Sequence, residues 1–121
     1  MGKHKIYISL PITGYDVEER KERAENMKTT IEAGIRSGRM SAITAKNGQK
    51  IQLYPNNTEV VTPFDIVPDP TGLSYADIMG LDLTVLLKSH VVCFAKDWQT
   101  SKGCRIEYAV AKELGLQMCF V

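Results

Sequence analysis

Several classes of protein are excluded by what this 121-residue chain lacks. No apolar segment approaches the roughly 20 residues that a membrane-spanning helix requires, so we expect no membrane partner. The net charge is +1, which provides neither the basic footprint of a nucleic-acid-binding protein nor an acidic tail. The two histidines lie far apart and no Cys/His spacing suits zinc, so the sequence predicts no metal site.

The cysteines are few and their arrangement is informative. There are three of them, Cys93, Cys104 and Cys119, an odd number without a C-x-x-C pair. This usage is typical of reduced thiols in a cytosol. Residues 1–5 run directly into a predicted strand without a signal-peptide pattern. We therefore expect a cytoplasmic protein.

The length and the pattern of the chain predict a single domain over residues 1–121. Hydrophobic residues make up 44% and charged residues 24%, which is ordinary for a globular protein with one core. Short β-rich segments alternate with amphipathic ones, and no repeat or linker interrupts them. The predicted core strands are 5–10, 59–62, 90–95 and 117–121, and the predicted helices are 17–35, 74–89 and 101–115. This order predicts an α/β fold, a flavodoxin-like three-layer sandwich with about four parallel strands.

Residues 40–54 are predicted to form an inserted β-hairpin. Segments 41–45 and 50–54 flank Asn47-Gly48, a strong short hairpin signal. Residues 64–73, which contain Pro68, Pro70 and Gly72, are predicted to be a loop.

The candidate site follows from the predicted sheet. Parallel strands place the loops at their carboxyl ends together, and these loops are residues 9–15, 63–74 and 96–103. The first and third precede helix starts, whose unpaired N–H groups favour an anionic ligand such as a phosphate. Neither loop has a dinucleotide-binding or P-loop glycine pattern.

Glu107 is the first candidate for chemistry. If Ser101 caps the last helix, a capping-box acid belongs at position 104, so Glu107 is not explained as a cap. We expect Ile106, Val110 and Leu114 to form the buried stripe, with Glu107 at its edge near the crevice. The alternative is a surface position on the helix.

Other candidates also have two interpretations. Tyr7 alternates with apolar residues in a strand, so core packing would explain it, and Asp82 fits a solvated helix position. Ser101 fits a plain helix cap. Trp98 fits either stacking on a base or packing of its loop on the sheet. Cys104 has no local partner for thiol catalysis.

Three segments together carry a family resemblance. The first segment is residues 6–14, IYISLPITG, which is similar to the pattern I-Y-x-A-G-P-x-T-G. The second is Asp82-Leu83, which precedes the third core strand. The third is Trp98-x-x-Ser101-x-Gly103-x-x-x-Glu107-x-x-x-Ala111, in the last predicted helix and the loop before it. In these segments the chain resembles the nucleoside 2-deoxyribosyltransferase-like superfamily, and most of all its short DUF4406-type branch. The resemblance covers nearly the whole chain apart from residues 40–54.

The resemblance implies an activity and a set of site residues. Glu107 would be the nucleophile on C1′ of a deoxyribosyl group, Tyr7 would orient its carboxylate, and Asp82 would be a second acid. Transfer of the sugar to water or to another base would follow, without a cofactor or a metal. The implied substrate-binding residues are Ser9, Pro11, Thr13, Gly14, Asp97, Trp98, Ser101 and Gly103.

Position 101 bears on the substrate. In the superfamily, an Asp six residues before the glutamate accompanies free nucleosides, and a Ser accompanies nucleoside 5′-monophosphates. Ser101 therefore favours a 2′-deoxynucleoside 5′-monophosphate, since a hydroxyl donates to a phosphate that a carboxylate would repel. The first loop lacks the arginine of known monophosphate hydrolases, so Lys102, Arg105 or a neighbouring subunit is expected to assist.

Two further hypotheses belong to other classes. The chain would be a nucleotide-binding or sensing module without chemistry, or an interaction protein without a ligand. A homo-oligomer is expected, with residues 40–54 as one candidate contact.

Overall fold

The computed structural model describes residues 4–44 and 47–121. Its strands are β1 (His4–Ser9), β2 (Ala42–Thr44), β3 (Lys50–Gln52), β4 (Thr58–Val61), β5 (Val91–Phe94) and β6 (Gln117–Phe120). Its α-helices are α1 (Val17–Arg36), α2 (Pro63–Ile66), α3 (Tyr75–Leu87) and α4 (Lys102–Leu114), with a single 3₁₀ turn at Trp98–Thr100. The predicted core strands are confirmed to within one residue at each end, and the predicted helices to within two.

The central sheet has four parallel strands in the order β4-β1-β5-β6. Ile6 lies opposite Val60 on one side and Val91 on the other, and Val91 lies opposite Gln117. β1 and β5 are central, and because residues 6–9 and 91–94 are buried on both faces, these segments are apolar apart from Ser9. The predicted α/β flavodoxin-like sandwich is confirmed.

Helices cover both faces of the sheet. Ile6, Ile8 and Cys93 pack on one face against α1, together with residues of the hairpin. Tyr7, Val92 and Phe94 point to the other face, where they pack against α3 and α4. The two-residue period of the strands thus assigns Tyr7 to the face that carries Asp82 and Glu107.

The hairpin is present but shorter than predicted. β2 and β3 pair antiparallel, with Ile43 opposite Ile51, and Gly48 takes a positive φ of 84° in the turn. Residue 45, in the predicted first strand, lies outside the described residues. The hairpin touches the main sheet where the Thr44 amide donates a 2.8 Å hydrogen bond to Gln117 Oε1.

The predicted loop at residues 64–73 was wrong in its first part. Thr62 caps the short helix α2, and its hydroxyl accepts from the Asp65 amide while the Asp65 carboxylate accepts from the Thr62 amide. Pro63 favours this start because its fixed φ suits the first helical turn. The capping residues Thr62 and Asp65 therefore start a short helix, although prolines follow at positions 68 and 70.

Candidate functional site

A cavity of about 250 Å³ opens at the carboxyl edge of the sheet. The loops after β1, β4 and β5 surround it, together with the first halves of α3 and α4. Its polar lining consists of the side chains of Thr13, Tyr75, Asp82, Ser101, Cys104 and Glu107, and its apolar walls include Leu10, Ile12, Phe64, Val67, Ile78 and Met79. The position is the one expected for ligands of an open α/β sheet.

Glu107 forms the floor of this cavity and is held at both carboxylate oxygens. The Tyr7 hydroxyl donates a hydrogen bond to Oε2, and the Ser9 hydroxyl donates a 2.8 Å hydrogen bond to Oε1. Tyr7 and Ser9 are two residues apart on β1, so both side chains reach the same face. All three residues are buried, and Glu107 is only 4% exposed.

The burial of α4 differs from the predicted stripe. Its buried residues are Cys104, Glu107 and Ala111, whereas Ile106, Val110 and Leu114 are half-buried. The prediction was wrong about the orientation of the helix, because it assumed that the most apolar line must face the sheet. Instead, Glu107 lies in the middle of the buried line, where the two hydroxyls of β1 satisfy it.

Asp82 is a second buried carboxyl group on the cavity wall. It lies in α3 and is 6% exposed, and its Oδ1 has no hydrogen-bond partner among the residues that the structure describes. A buried polar atom without a partner costs free energy unless a ligand or water satisfies it. Asp82 is therefore not the solvated helix position that its sequence context allowed.

Both carboxyl groups have perturbed acidity. Burial raises the pKa of Glu107 to about 7, against the opposing effect of the hydrogen bonds from Tyr7 and Ser9, and the nearby Asp82 contributes to the rise. Burial alone raises the pKa of Asp82 to about 7. Burial and the adjacent Glu107 hold the pKa of the Tyr7 hydroxyl well above its usual value, so Tyr7 remains a donor at neutral pH.

Ser101, Gly103 and Thr13 line the cavity. Ser101 caps α4, since its Oγ accepts from the Cys104 amide at 3.2 Å, and its own hydroxyl hydrogen stays available to a ligand. An outer recess adjoins the cavity, bordered by Pro11, Tyr15, Thr100 and Lys102 as well as residues shared with the cavity.

Four predicted binding residues line neither the cavity nor the recess, and one of them, Ser9, is instead the buried donor to Glu107. Gly14 has a φ of 88° in the first loop and lines neither space. Asp97 receives two hydrogen bonds from the Arg23 guanidinium, at 2.7 and 2.9 Å, and so fastens its loop to α1. Trp98 stacks on Tyr108 with ring centroids 4.6 Å apart, which is the loop-packing alternative rather than a position in the cavity.

Of the two cations expected to assist with phosphate, Lys102 borders the outer recess. Arg105 instead donates to the Gln99 carbonyl oxygen at 2.8 Å. The acids Asp65, Asp69 and Asp77 are cap and turn residues.

Sequence reasoning missed the contribution of the first turns of α3. Tyr75, Ile78 and Met79 line the cavity on the same helix face as Asp82. Ile78, Met79 and Asp82 follow Tyr75 by three, four and seven residues, a spacing that places all four on one face of a helix. This spacing could have been recognised in the sequence.

Some kinds of site are not built by the described residues. Within 4–44 and 47–121, no three His, Cys, Asp or Glu side chains are grouped so as to hold a metal ion. Over the same residues, no helix combines the length and apolar character needed to cross a membrane.

The fold and the site define a class: an α/β sandwich with two buried carboxyl groups in a cavity at the carboxyl edge of its parallel sheet. The sequence model of the family described as "Domain of unknown function (DUF4406)" matches residues 4–120, and the chain belongs to that family. Neither the curated proteins nor the solved structures gave a match.

Proposed function

We propose that this protein cleaves the N-glycosidic bond of a 2′-deoxynucleoside 5′-monophosphate or the matching nucleoside, with Glu107 as the nucleophile. The sugar is then transferred to water or to another base. The observation that carries the proposal is the Glu107 carboxylate at the cavity floor, held by Tyr7 and Ser9 and sharing the cavity with Asp82. The resemblance to the nucleoside 2-deoxyribosyltransferase-like superfamily supports the choice of substrate.

The hydrogen bonds divide the roles of the two acids. Glu107 accepts from two hydroxyl donors, which stabilise its anion, whereas Asp82 has an oxygen with no donor and is more easily kept protonated. Two carboxyl groups in different surroundings are the usual basis for a nucleophile and a general acid at one site.

The proposed reaction follows the double-displacement scheme of retaining glycosidases. A Glu107 oxygen attacks C1′, the C1′–N bond breaks, and the base leaves with the proton donated by Asp82. The sugar remains as an ester of Glu107. Water, or a second base, then attacks C1′ while Asp82 takes its proton, which releases the sugar product and restores both acids.

The cavity offers different surroundings to the parts of this substrate. The apolar walls, including Phe64 and Met79, suit the flat face of a base. Ser101 and Gly103 at the start of α4 suit the sugar phosphate, with Lys102 at the outer recess. The walls do not indicate which base is accepted.

The proposal extends to the partners and the location of the protein. A small nucleotide or nucleoside is the partner, the thiol usage fits a cytoplasmic protein, and the chain is expected to associate as a homo-oligomer. Light scattering of the purified protein, compared with a variant that lacks residues 47–49 of the hairpin, tests the association.

The decisive experiment is chromatographic detection of free base after incubation with each deoxynucleoside monophosphate and each nucleoside. Glu107→Gln is the test variant, and Glu113→Gln is the matched control because Glu113 is exposed on the same helix. Base release by the native protein and the control, abolished in Glu107→Gln, supports the proposal. Release only with an added acceptor base identifies a transferase.

Absence of base release, with the melting temperature still raised by a nucleotide, rejects catalysis and leaves a nucleotide-binding module. Absence of both effects rejects the nucleotide altogether and leaves the interaction protein.

A further inference from the structure

Two of the three cysteines lie directly opposite each other in the sheet. Cys93 on β5 pairs in register with Cys119 on β6. Directly opposed residues of neighbouring strands have their Cα atoms about 4.8 Å apart and their side chains on the same face. That separation is within the range that disulfides span, about 4.4–6.8 Å.

The two sulfur atoms are already close. The Cys93 and Cys119 Sγ atoms lie 3.1 Å apart, in a hydrogen bond between the thiols. A disulfide bond is about 2.05 Å long, so bond formation requires the sulfurs to approach by only about 1 Å.

The two thiols differ in access and acidity. Cys93 is fully buried, whereas Cys119 is half-buried on the edge strand β6. The hydrogen bond with Cys93 holds the pKa of the Cys119 thiol below its usual value, and the same bond together with burial raises the pKa of Cys93. Cys119 is therefore the thiol that an oxidant meets first, and it is the more readily ionised of the two.

We propose that Cys93 and Cys119 are a redox modification site, at which a hydroperoxide converts the thiol pair to a reversible intrachain disulfide. The Cys119 thiolate attacks one peroxide oxygen, breaks the O–O bond and becomes a sulfenic acid, while the second oxygen leaves and is protonated. The Cys93 sulfur then attacks Cys119 Sγ, an S–S bond forms, and the sulfenic oxygen leaves as water. Two thiols are oxidised and one peroxide is reduced.

The third cysteine provides an internal control. Cys104 lies on α4, on the opposite face of the sheet, among the residues that line the cavity. It is 2% exposed, and burial raises its pKa to about 11. It has neither the position to join the pair nor the thiolate character to react.

The sequence makes the test direct, because trypsin places each cysteine on a separate peptide. Cleavage after lysine and arginine gives residues 89–96 with Cys93, residues 103–105 with Cys104 and residues 113–121 with Cys119. The protein is exposed to hydrogen peroxide at neutral pH and then unfolded in urea, so that iodoacetamide blocks every remaining thiol. The digest is analysed by mass spectrometry.

The expected product is a linked peptide pair, 89–96 with 113–121, and an intact monomer that has lost two hydrogen masses. Peptide 103–105 is fully alkylated. Reduction with dithiothreitol separates the linked pair into the two free peptides. Cys119→Ser should abolish the link, and Cys104→Ser should leave it unchanged.

Three results would overturn the proposal, and none requires a variant to fold. They are oxidation of Cys119 to sulfinic acid with no linked pair, a link between two chains instead of within one, and reaction of Cys104 before Cys119.

Discussion

Ser9 and Glu107 are 98 residues apart in the chain, and the Ser9 hydroxyl donates a 2.8 Å hydrogen bond to Glu107 Oε1 in the buried floor of the cavity. The second Glu107 oxygen accepts from Tyr7, so the carboxylate is fixed from β1 alone. Such a fixed, buried acid gives the protein a specific dependence on pH.

Glu107→Gln is expected to stabilise the protein above neutral pH. Burial raises the folded-state pKa of Glu107 from 4.5 to about 7, so the folded state holds a proton that the unfolded state releases. The stability that this proton confers is complete below pH 4.5 and is lost as the pH rises to about 7. That shift corresponds to about 3 kcal/mol in the free energy of unfolding.

The measurement is urea unfolding of the native protein and Glu107→Gln at pH 4.5 and pH 8. The variant should gain stability relative to the native protein at pH 8 and little at pH 4.5. An equal effect at both values would contradict the raised pKa.

Ser9→Ala should raise the pKa of Glu107 further, because one of its two donors is lost. A hydrogen bond to a charged group is worth more than about 1 kcal/mol, so the acidic limb of a pH–rate profile should move up by roughly one unit. Thr13→Val, which removes a hydroxyl from the cavity rim, is the control and should leave the limb in place. A fall in rate without movement of the limb would argue that Ser9 does not hold the carboxylate.

Asp82→Asn should separate stability from activity. Burial raises the pKa of Asp82 to about 7, so at pH 8 the native protein buries a charge with one unpartnered oxygen. The amide removes that charge and should stabilise the fold at pH 8 by about 1 kcal/mol or more, while base release is lost. The exposed Asp69→Asn is the matched control, and retention of base release in Asp82→Asn would reject its role as the acid.

Asp97 and Arg23 should behave as a coupled pair rather than as a ligand contact. Their hydrogen bonds join the loop after β5 to α1, and both side chains are 30% exposed. A double-mutant cycle with Asp97→Asn and Arg23→Gln should show a coupling of about 0.5–1 kcal/mol in unfolding. If Asp97 also contacted the substrate, Asp97→Asn would raise KM where Arg23→Gln did not.

Gly103→Ala should narrow the cavity without unfolding the protein. A Cβ atom there would lie 3.3 Å from Met79 Sδ and 3.4 Å from the Tyr75 hydroxyl. Met79 is flexible, and alanine favours a helix over glycine by about 0.5–1 kcal/mol, so stability should change little. KM should rise, and Gly80→Ala, at an open position on α3, is the control.

The sequence was sufficient for the fold because its period-two strands and capped helices agree with the final sheet. The sequence was insufficient to predict which side chains of α4 are buried. Apolar spacing assigned Ile106 to the buried face, but the hydroxyls of Tyr7 and Ser9 make burial of Glu107 favourable, and those partners come from the far end of the chain. Asp97 was expected to bind the substrate, and its actual partner Arg23 was missed for the same reason, since it lies 74 residues away.

The loops that form the cavity walls differ in their hydrogen bonds to the rest of the protein. Arg20 on α1 donates to the Pro11 carbonyl oxygen in the loop after β1, and Arg23 beside it holds Asp97 in the loop after β5. In residues 68–73 the hydrogen bonds are local, from the Thr71 amide to Asp69 and from the Leu73 amide to the Pro70 carbonyl oxygen. The loops after β1 and β5 are therefore tied to the same helix, whereas the hydrogen bonds of residues 68–73 stay within that segment. We expect a ligand to enter by displacing residues 68–73, which would leave Glu107 and its two donors on β1 in place.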